Sequence, residues 1–142
     1  MQISKKSEYA VRAIAILASH GTENSMQAQE LAQAGEIPQK FLEQILLILK
    51  RGGLVVSKRG VGGGYRIAKQ PRLITVLEVI INIEGDINPL PEPHSTREFP
   101  GSKGIIHCFT TATGAYQSAL ERTTIEDLLE HDSGDNMAGF GI

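Results

Sequence analysis

Two cations sit against a run of glycines at Lys58-Arg59-Gly60-Val61-Gly62-Gly63-Gly64, a stretch that can bury nothing yet can bring its backbone close to another molecule. Lysine and arginine on such a loop suit the neutralisation of phosphates. Upstream, Gln39, Lys40, Glu43 and Gln44 carry complementary chemistry. Glutamine can pair with adenine through two hydrogen bonds, glutamate can accept from cytosine, and lysine can meet guanine or a phosphate. Gln27 and Gln29 offer the same amide groups, while Lys5, Lys6, Arg51, Gly60 and Tyr65 complete the set of candidate contacts. Thiol chemistry is sparse: Cys108 is the one cysteine, which excludes a disulfide framework within the chain. Three of the four histidines, His94, His107 and His131, follow residue 73, but no nucleophile, base and orienting acid recur at a catalytic spacing. The chain is therefore read as a non-enzyme.

The elements that must position these groups follow from hydrophobic period and punctuation. Pro38 suits a first helical turn, because the amide it lacks would have had no partner there. Phe41, Leu42, Ile45, Leu46 and Leu49 recur at the spacing of a buried stripe, with the polar residues mainly opposite. Gly52 and Gly53 can end that helix in the left-handed conformation, with Lys50 and Arg51 at its negative end. Leu54 to Ser57 has strand composition, and Tyr65 to Ile67 leads back from the glycine tip. Before them, the pattern predicts helices over Ser4 to His20 and Met26 to Ala34, the second joined to Pro38 by a short turn. Helix, turn, helix and basic hairpin is the order of parts in a winged helix-turn-helix.

After the hairpin, KQPRL reads as a linker. Thr75 to Glu78 fits a reciprocal capping box opening a helix that is apolar nearly all round and so buried. Four prolines, at 89, 91, 93 and 100, mark 86–104 as a long loop. A helix over Ile105 to Arg122 is expected despite Thr110, Thr111, Thr113 and Gly114, and a last helix follows Thr124, with His131 onward a frayed tail. The fold class is thus mainly α with a small two-stranded β wing, followed by C-terminal helices. The expected organisation is a DNA-binding unit over 1–72, a linker helix, effector loop and dimerisation helices over 73–132, and a flexible tail over 133–142.

Charge divides along the same line. Eleven lysines and arginines face five acids through Arg72, a net of +6, and three face eleven beyond it, a net of −8. Such asymmetry suits a polyanion on one half, though uneven scatter on solvated helices produces it too. Lys5 and Lys6 pose the same alternative. They open a helix where its dipole disfavours cations, so either a phosphate holds them or they are solvated at a cost of a few tenths of a kcal/mol. The first twenty residues place lysines before an apolar stretch, but Glu8 and Arg12 interrupt it, so it reads as a helix of a cytoplasmic protein. No apolar run is long enough to cross a bilayer.

Five segments, ISKKSEYAVRAIAILA, FLEQILLILKRGGLV, SKRGVGGGYRIAK, ITVLEVI and TTIEDLL, are spread from Ile3 to Leu129, and together the sequence resembles the Rrf2 family of bacterial transcription regulators. The RGxGGGY run is the most specific of them. It is no nucleotide-binding phosphate loop, since it lacks GxxxxGK[ST] and lies between strands. The resemblance implies a homodimer joined through a long helix, acting on a two-fold-symmetric double-stranded operator. It also implies that Arg59 enters a minor groove while Lys40 to Gln44 lie in the major groove. A winged-helix module that docks a protein instead of DNA is the alternative.

Many family members carry three cysteines in the loop before the long helix, ligating an iron-sulfur cluster. That three-cysteine site is absent here. A mixed-ligand cluster would have to draw on Cys108, His107, His94 and Glu8. The competing reading makes Cys108 a small buried hydrophobe, His107 an ordinary histidine and Glu8 a helix-start acid. Without a cluster, the effector would be a small molecule, a partner protein or oxidation of Cys108 near a helix start.

Overall fold

The computed structural model describes residues 2–85, 87 and 97–134. Helix α1 (Lys5–Ser19) opens on Ser4, whose hydroxyl accepts from the Ser7 amide. Helix α2 (Ala28–Gly35) and helix α3 (Gln39–Arg51) follow, then strands β1 (Val55–Lys58) and β2 (Gly64–Ile67), antiparallel with Val55 opposite Ile67 and Lys58 opposite Gly64. A 3₁₀ turn at Pro71–Leu73 occupies the expected linker. Helices α4 (Val76–Glu84), α5 (Ser102–Glu121) and α6 (Ile125–Gly134) complete the described chain.

One hydrophobic core joins these parts. Ala10, Ala13, Ile14 and Leu17 of α1 are buried with Leu31 of α2, Leu42, Ile45, Leu46 and Leu49 of α3, and Leu54, Val55 and Ile67 of the wing. Ile74, Val79 and Ile125 belong to the same cluster. Two backbone hydrogen bonds, Val76 amide to Thr123 carbonyl and Ile125 amide to Ile74 carbonyl, each 2.9 Å, hold the starts of α4 and α6 side by side.

Several local expectations are corrected. Met26 does not open α2. It lies extended against the wing, exchanging hydrogen bonds of 2.8 and 2.7 Å with Tyr65, and the helix begins two residues later. This close approach explains Gly64, at φ +131°, where an added Cβ would stand 2.3 Å from the Met26 carbonyl oxygen. Pro38 is the residue before α3 rather than inside it. Of the two glycines closing α3, only Gly53 has positive φ, at +76°. Gly52 is close-packed instead, since a Cβ there would stand 1.6 Å from Asn82 Oδ1 and the amide would have to turn aside.

The Thr75 cap forms, its hydroxyl accepting from the Glu78 amide at 3.0 Å, but Glu78 does not reach back. Its carboxylate is drawn to Lys69 Nζ at 2.7 Å, tying the segment after the wing to α4. The reciprocal box is at α6. There the Asp127 amide donates to Thr124 Oγ1 at 3.0 Å and the Thr124 amide donates to Asp127 Oδ2 at 2.9 Å. Helix α4 is less enclosed than its composition suggested, since Ile81 is exposed. Helix α5 starts three residues early and runs unbroken through its threonines, Thr113 Oγ1 donating to the Phe109 carbonyl one turn back. His131 is helical rather than frayed, and the rest of the expected tail, 135–142, lies outside the described residues.

Candidate nucleic-acid interface

Helix α3 separates its two faces sharply. Leu42, Ile45, Leu46 and Leu49 are each 0% exposed, while Gln39, Lys40, Glu43, Gln44, Leu47 and Arg51 face solvent. Phe41 departs from the expected stripe. It is 49% exposed, because its position falls at the edge of the buried arc rather than within it. Its ring meets Tyr9 of α1, centroids 6.4 Å apart and tilted by 40°. Tyr9 in turn receives Lys5 Nζ at 5.6 Å and the Arg12 guanidinium at 5.0 Å from its ring centre. The start of α1 and the start of α3 thus share one aromatic and cationic patch.

The wing meets the last turn of α3 in a recess lined by Gln27, Lys50, Ser57, Lys58, Arg59, Gly60, Gly64 and Tyr65. Five of the residues singled out by sequence, Gln27, Lys58, Arg59, Gly60 and Tyr65, come together here. Gln27 Nε2 donates to the Gly63 carbonyl at 2.9 Å, so this amide braces the wing from the α2 side. Lys50 and Ser57 join the recess although neither was picked out. Both follow from position, Lys50 on the last turn of α3 and Ser57 on the strand leading to the tip. Lys58 and Arg59 are exposed at the mouth. On the other side of the wing, Arg66 reaches the Thr22 carbonyl at 3.4 Å.

Lys6 is turned elsewhere, toward Glu84 at the end of α4. The Glu84 carboxylate accepts hydrogen bonds from the Ser4 hydroxyl and, at 2.7 Å, from the Ser7 hydroxyl. These two bonds, with Lys6 nearby, hold its carboxyl below the usual range for a glutamate.

Among the described residues the candidate metal ligands do not assemble. Glu8 is engaged by Arg12, whose Nη2 lies 2.6 and 2.8 Å from the two carboxylate oxygens. That bond raises the Arg12 pKa above its ordinary value, and Arg12 Nη1 donates to the Gly35 carbonyl at 2.6 Å, clamping α1 to the end of α2. Cys108 is exposed on α5, neither a buried hydrophobe nor at the helix start, and His107 beside it is exposed as well. His94 lies outside the described residues. Among the described residues no three His, Cys, Asp or Glu side chains gather in a group able to hold a metal ion. One thiol, an arginine-bound carboxylate and exposed imidazole do not fit an iron-sulfur donor set within one chain.

With this geometry in hand, the family model described as "Rrf2: Iron-dependent Transcriptional regulator" matches residues 3–131. The chain belongs to the Rrf2 family. The HTH-type transcriptional regulator CymR of Bacillus subtilis is 30% identical over 138 residues, covering 97% of this chain and 96% of that protein. Protein rrf2 of Nitratidesulfovibrio vulgaris is 31% identical over 138 residues, covering 94% and 90%. Among solved structures, T. potens IscR superposes with a TM-score of 0.78 at 28% identity, covering 99% of this chain and 94% of its own. B. subtilis CymR, described as the global cysteine regulator of that organism, superposes at 0.77 with 30% identity, covering 92% and 98%. This Rrf2 chain is therefore a winged-helix, DNA-binding transcriptional regulator, and the family's members are regulators rather than enzymes. No described helix is long and apolar enough to cross a membrane.

Proposed function

We propose that this Rrf2 protein acts as a homodimer on a two-fold-symmetric operator, with α3 in the major groove and the wing in the adjacent minor groove. The observation that carries this reading is the recess where Lys50 of α3 and Lys58 and Arg59 of the wing converge, continuous with the polar face of α3. Lys40, Glu43 and Gln44 offer groups for base edges, and Gln39 and Arg51 flank them. Lys5 and Lys58 are assigned to phosphates, and Arg59 to the negative potential of a narrow minor groove. Gln27 and Tyr65 support the wing from behind, Gln27 through its bond to Gly63 and Tyr65 through its pairing with Met26.

Dimerisation is assigned to α5. This helix spans 20 residues, yet only Thr113 on it is buried, and Ile105, Ile106 and Phe109 are exposed with Phe99 just before it. An apolar face of that kind needs a partner surface, and a second copy supplies one. The units 1–72 and 73–132 then divide the labour between reading and pairing. The switch is assigned to the segment after α4, in which 86 and 88–96 lie outside the described residues.

Selection from a random duplex pool tests the reading. The expected product is an inverted repeat whose half-sites lie about one helical turn apart or a multiple of it. Arg59→Ala should weaken binding to that duplex by about 1–3 kcal/mol. Lys58→Ala should lower the salt slope by about one unit. Failure to enrich any sequence, alongside recovery of a stoichiometric protein complex, would favour a protein-docking module instead.

A further inference from the structure

The exposed face of α3 carries two large apolar side chains, Phe41 and Leu47, each 49% exposed. They are placed three residues before and three residues after Gln44. Residues three apart are neighbours on a helix surface, so Phe41, Gln44 and Leu47 form one row, apolar, amide, apolar, running along the solvent side. Lys40, Glu43 and Arg51 border this row, and Leu42, Ile45, Leu46 and Leu49 enclose the core side of the same helix, so about half of each of these two apolar side chains is left facing solvent.

The Phe41 ring is also held in place. Tyr9 meets it at 6.4 Å, and the cations of Lys5 and Arg12 sit over Tyr9 in turn. A preorganised aromatic edge on a groove-facing helix loses little freedom when it meets a ligand. On the major-groove floor the one apolar group of the bases is the thymine 5-methyl, and phenylalanine is among the side chains that contact it. An adenine, in turn, offers the donor and acceptor that the Gln44 amide can pair with.

We propose that Phe41 and Leu47 read thymine 5-methyl groups on either side of a base pair addressed by Gln44, so that the row specifies T·A-rich half-sites through apolar contact. The proposal deepens the DNA-binding reading and rests on it. Phe41 is the stronger of the two contacts, because its ring is pinned by Tyr9.

The test uses the full chain and the duplex it selects from a random pool, with each thymine of one half-site replaced singly by deoxyuridine. That exchange removes one methyl group and leaves the hydrogen-bonding edge unchanged. Wild-type binding should fall about fourfold at one position for Phe41 and by a smaller factor at a second for Leu47. Phe41→Ala should bind the thymine and deoxyuridine duplexes equally at the first position while keeping its response at the second, and Leu47→Ala should show the converse. Because each variant is compared with itself on two duplexes, a change in folded fraction cancels. Two findings overturn the proposal: a wild-type chain that binds its selected duplex tightly but ignores every deoxyuridine, or variants that keep the wild-type response. If no duplex is selected at all, the DNA-binding reading itself fails, which is a different result.

Discussion

Helices α3 and α5 are both amphipathic, yet the chain treats them in opposite ways. Helix α3 buries four leucine and isoleucine side chains completely and leaves a mainly polar face outward, so its structure is settled by its own chain. Helix α5 is longer by seven residues and buries one threonine, leaving Ile105, Ile106 and Phe109 exposed. The difference teaches where the sequence is complete by itself. The unit around α3 is a closed core with a polar surface, whereas the α5 face is left uncovered within the chain and is the face proposed to pair with a second copy.

The sharpest way to break that contrast is to open a cavity in each helix. Leu49→Ala removes a side chain at 0% exposure, with neighbours from several elements, and should destabilise the chain by about 2–5 kcal/mol in urea unfolding. The equivalent truncation on α5 at dilute concentration should cost far less. Comparable losses at both places would mean that α5 is supported within the chain in a way its exposure does not suggest.

Next in size is a charge on the α5 face. Ile106→Asp should forgo about 1.5–3 kcal/mol of apolar burial per subunit and leave a carboxylate in the contact. Sedimentation should then show a dimer for the unaltered chain and a monomer for the variant, and the urea midpoint of the unaltered chain should rise with protein concentration while that of the variant does not. A dimer that survives the aspartate would move the interface off this face.

The same contrast explains what could be read before the fold was known. The α3 stripe, the wing glycines, the Thr75 cap and the last helix were legible because each is written in local spacing: 3.6-residue period, turn residues, a capping threonine. Phe41 was misplaced because adjacency to Leu42 puts it on the edge of the apolar arc, and spacing alone does not say on which side of that edge a ring will lie. Met26 was misplaced for another reason. A single pair of hydrogen bonds to Tyr65 turns it from helix to bridge, and a one-residue pairing across 39 positions of chain leaves no period in the sequence. Glu78 shows the same limit, since a capping partner with a lysine in reach chose the lysine. The α3 and wing candidates rest on residue type and position, whereas Lys50 and Ser57 enter only with the recess itself.

A smaller effect probes the seam between the two regions, where α4 and α6 begin together. Thr124→Ala removes the hydroxyl that accepts from the Asp127 amide and should cost about 1 kcal/mol, read as a lower urea midpoint. Thr75→Ala should cost a similar amount, because its hydroxyl makes the matching bond to Glu78. If the caps are independent, the double variant should show the sum; if the 2.9 Å bonds between the two helix starts couple them, it should depart from additivity.

The smallest effect concerns the other end of α4, where Glu84 receives the Ser4 and Ser7 hydroxyls. A carboxyl held below its ordinary range in the folded chain contributes stability that is fully present above the unfolded value and disappears as pH falls through the folded one. Acidification from about pH 5 to pH 3 should therefore erode part of the stability through this residue, and Glu84→Gln should remove that part of the slope while leaving the rest. Glu84 is exposed, so salt and solvent screening keep the contribution small. Its position gives the measurement its interest. Glu84 is the last residue of α4, directly before the segment assigned to the switch, and it grips the first turn of α1, where Lys5 begins the patch shared with α3. If Glu84→Gln changes duplex affinity at neutral pH as well as the acid slope, the grip transmits to the reading helix. If affinity is unchanged, the bond only fastens α4 to α1, and the packing of α4 against the end of α3, where Asn82 lies close to Gly52, is the next contact to vary.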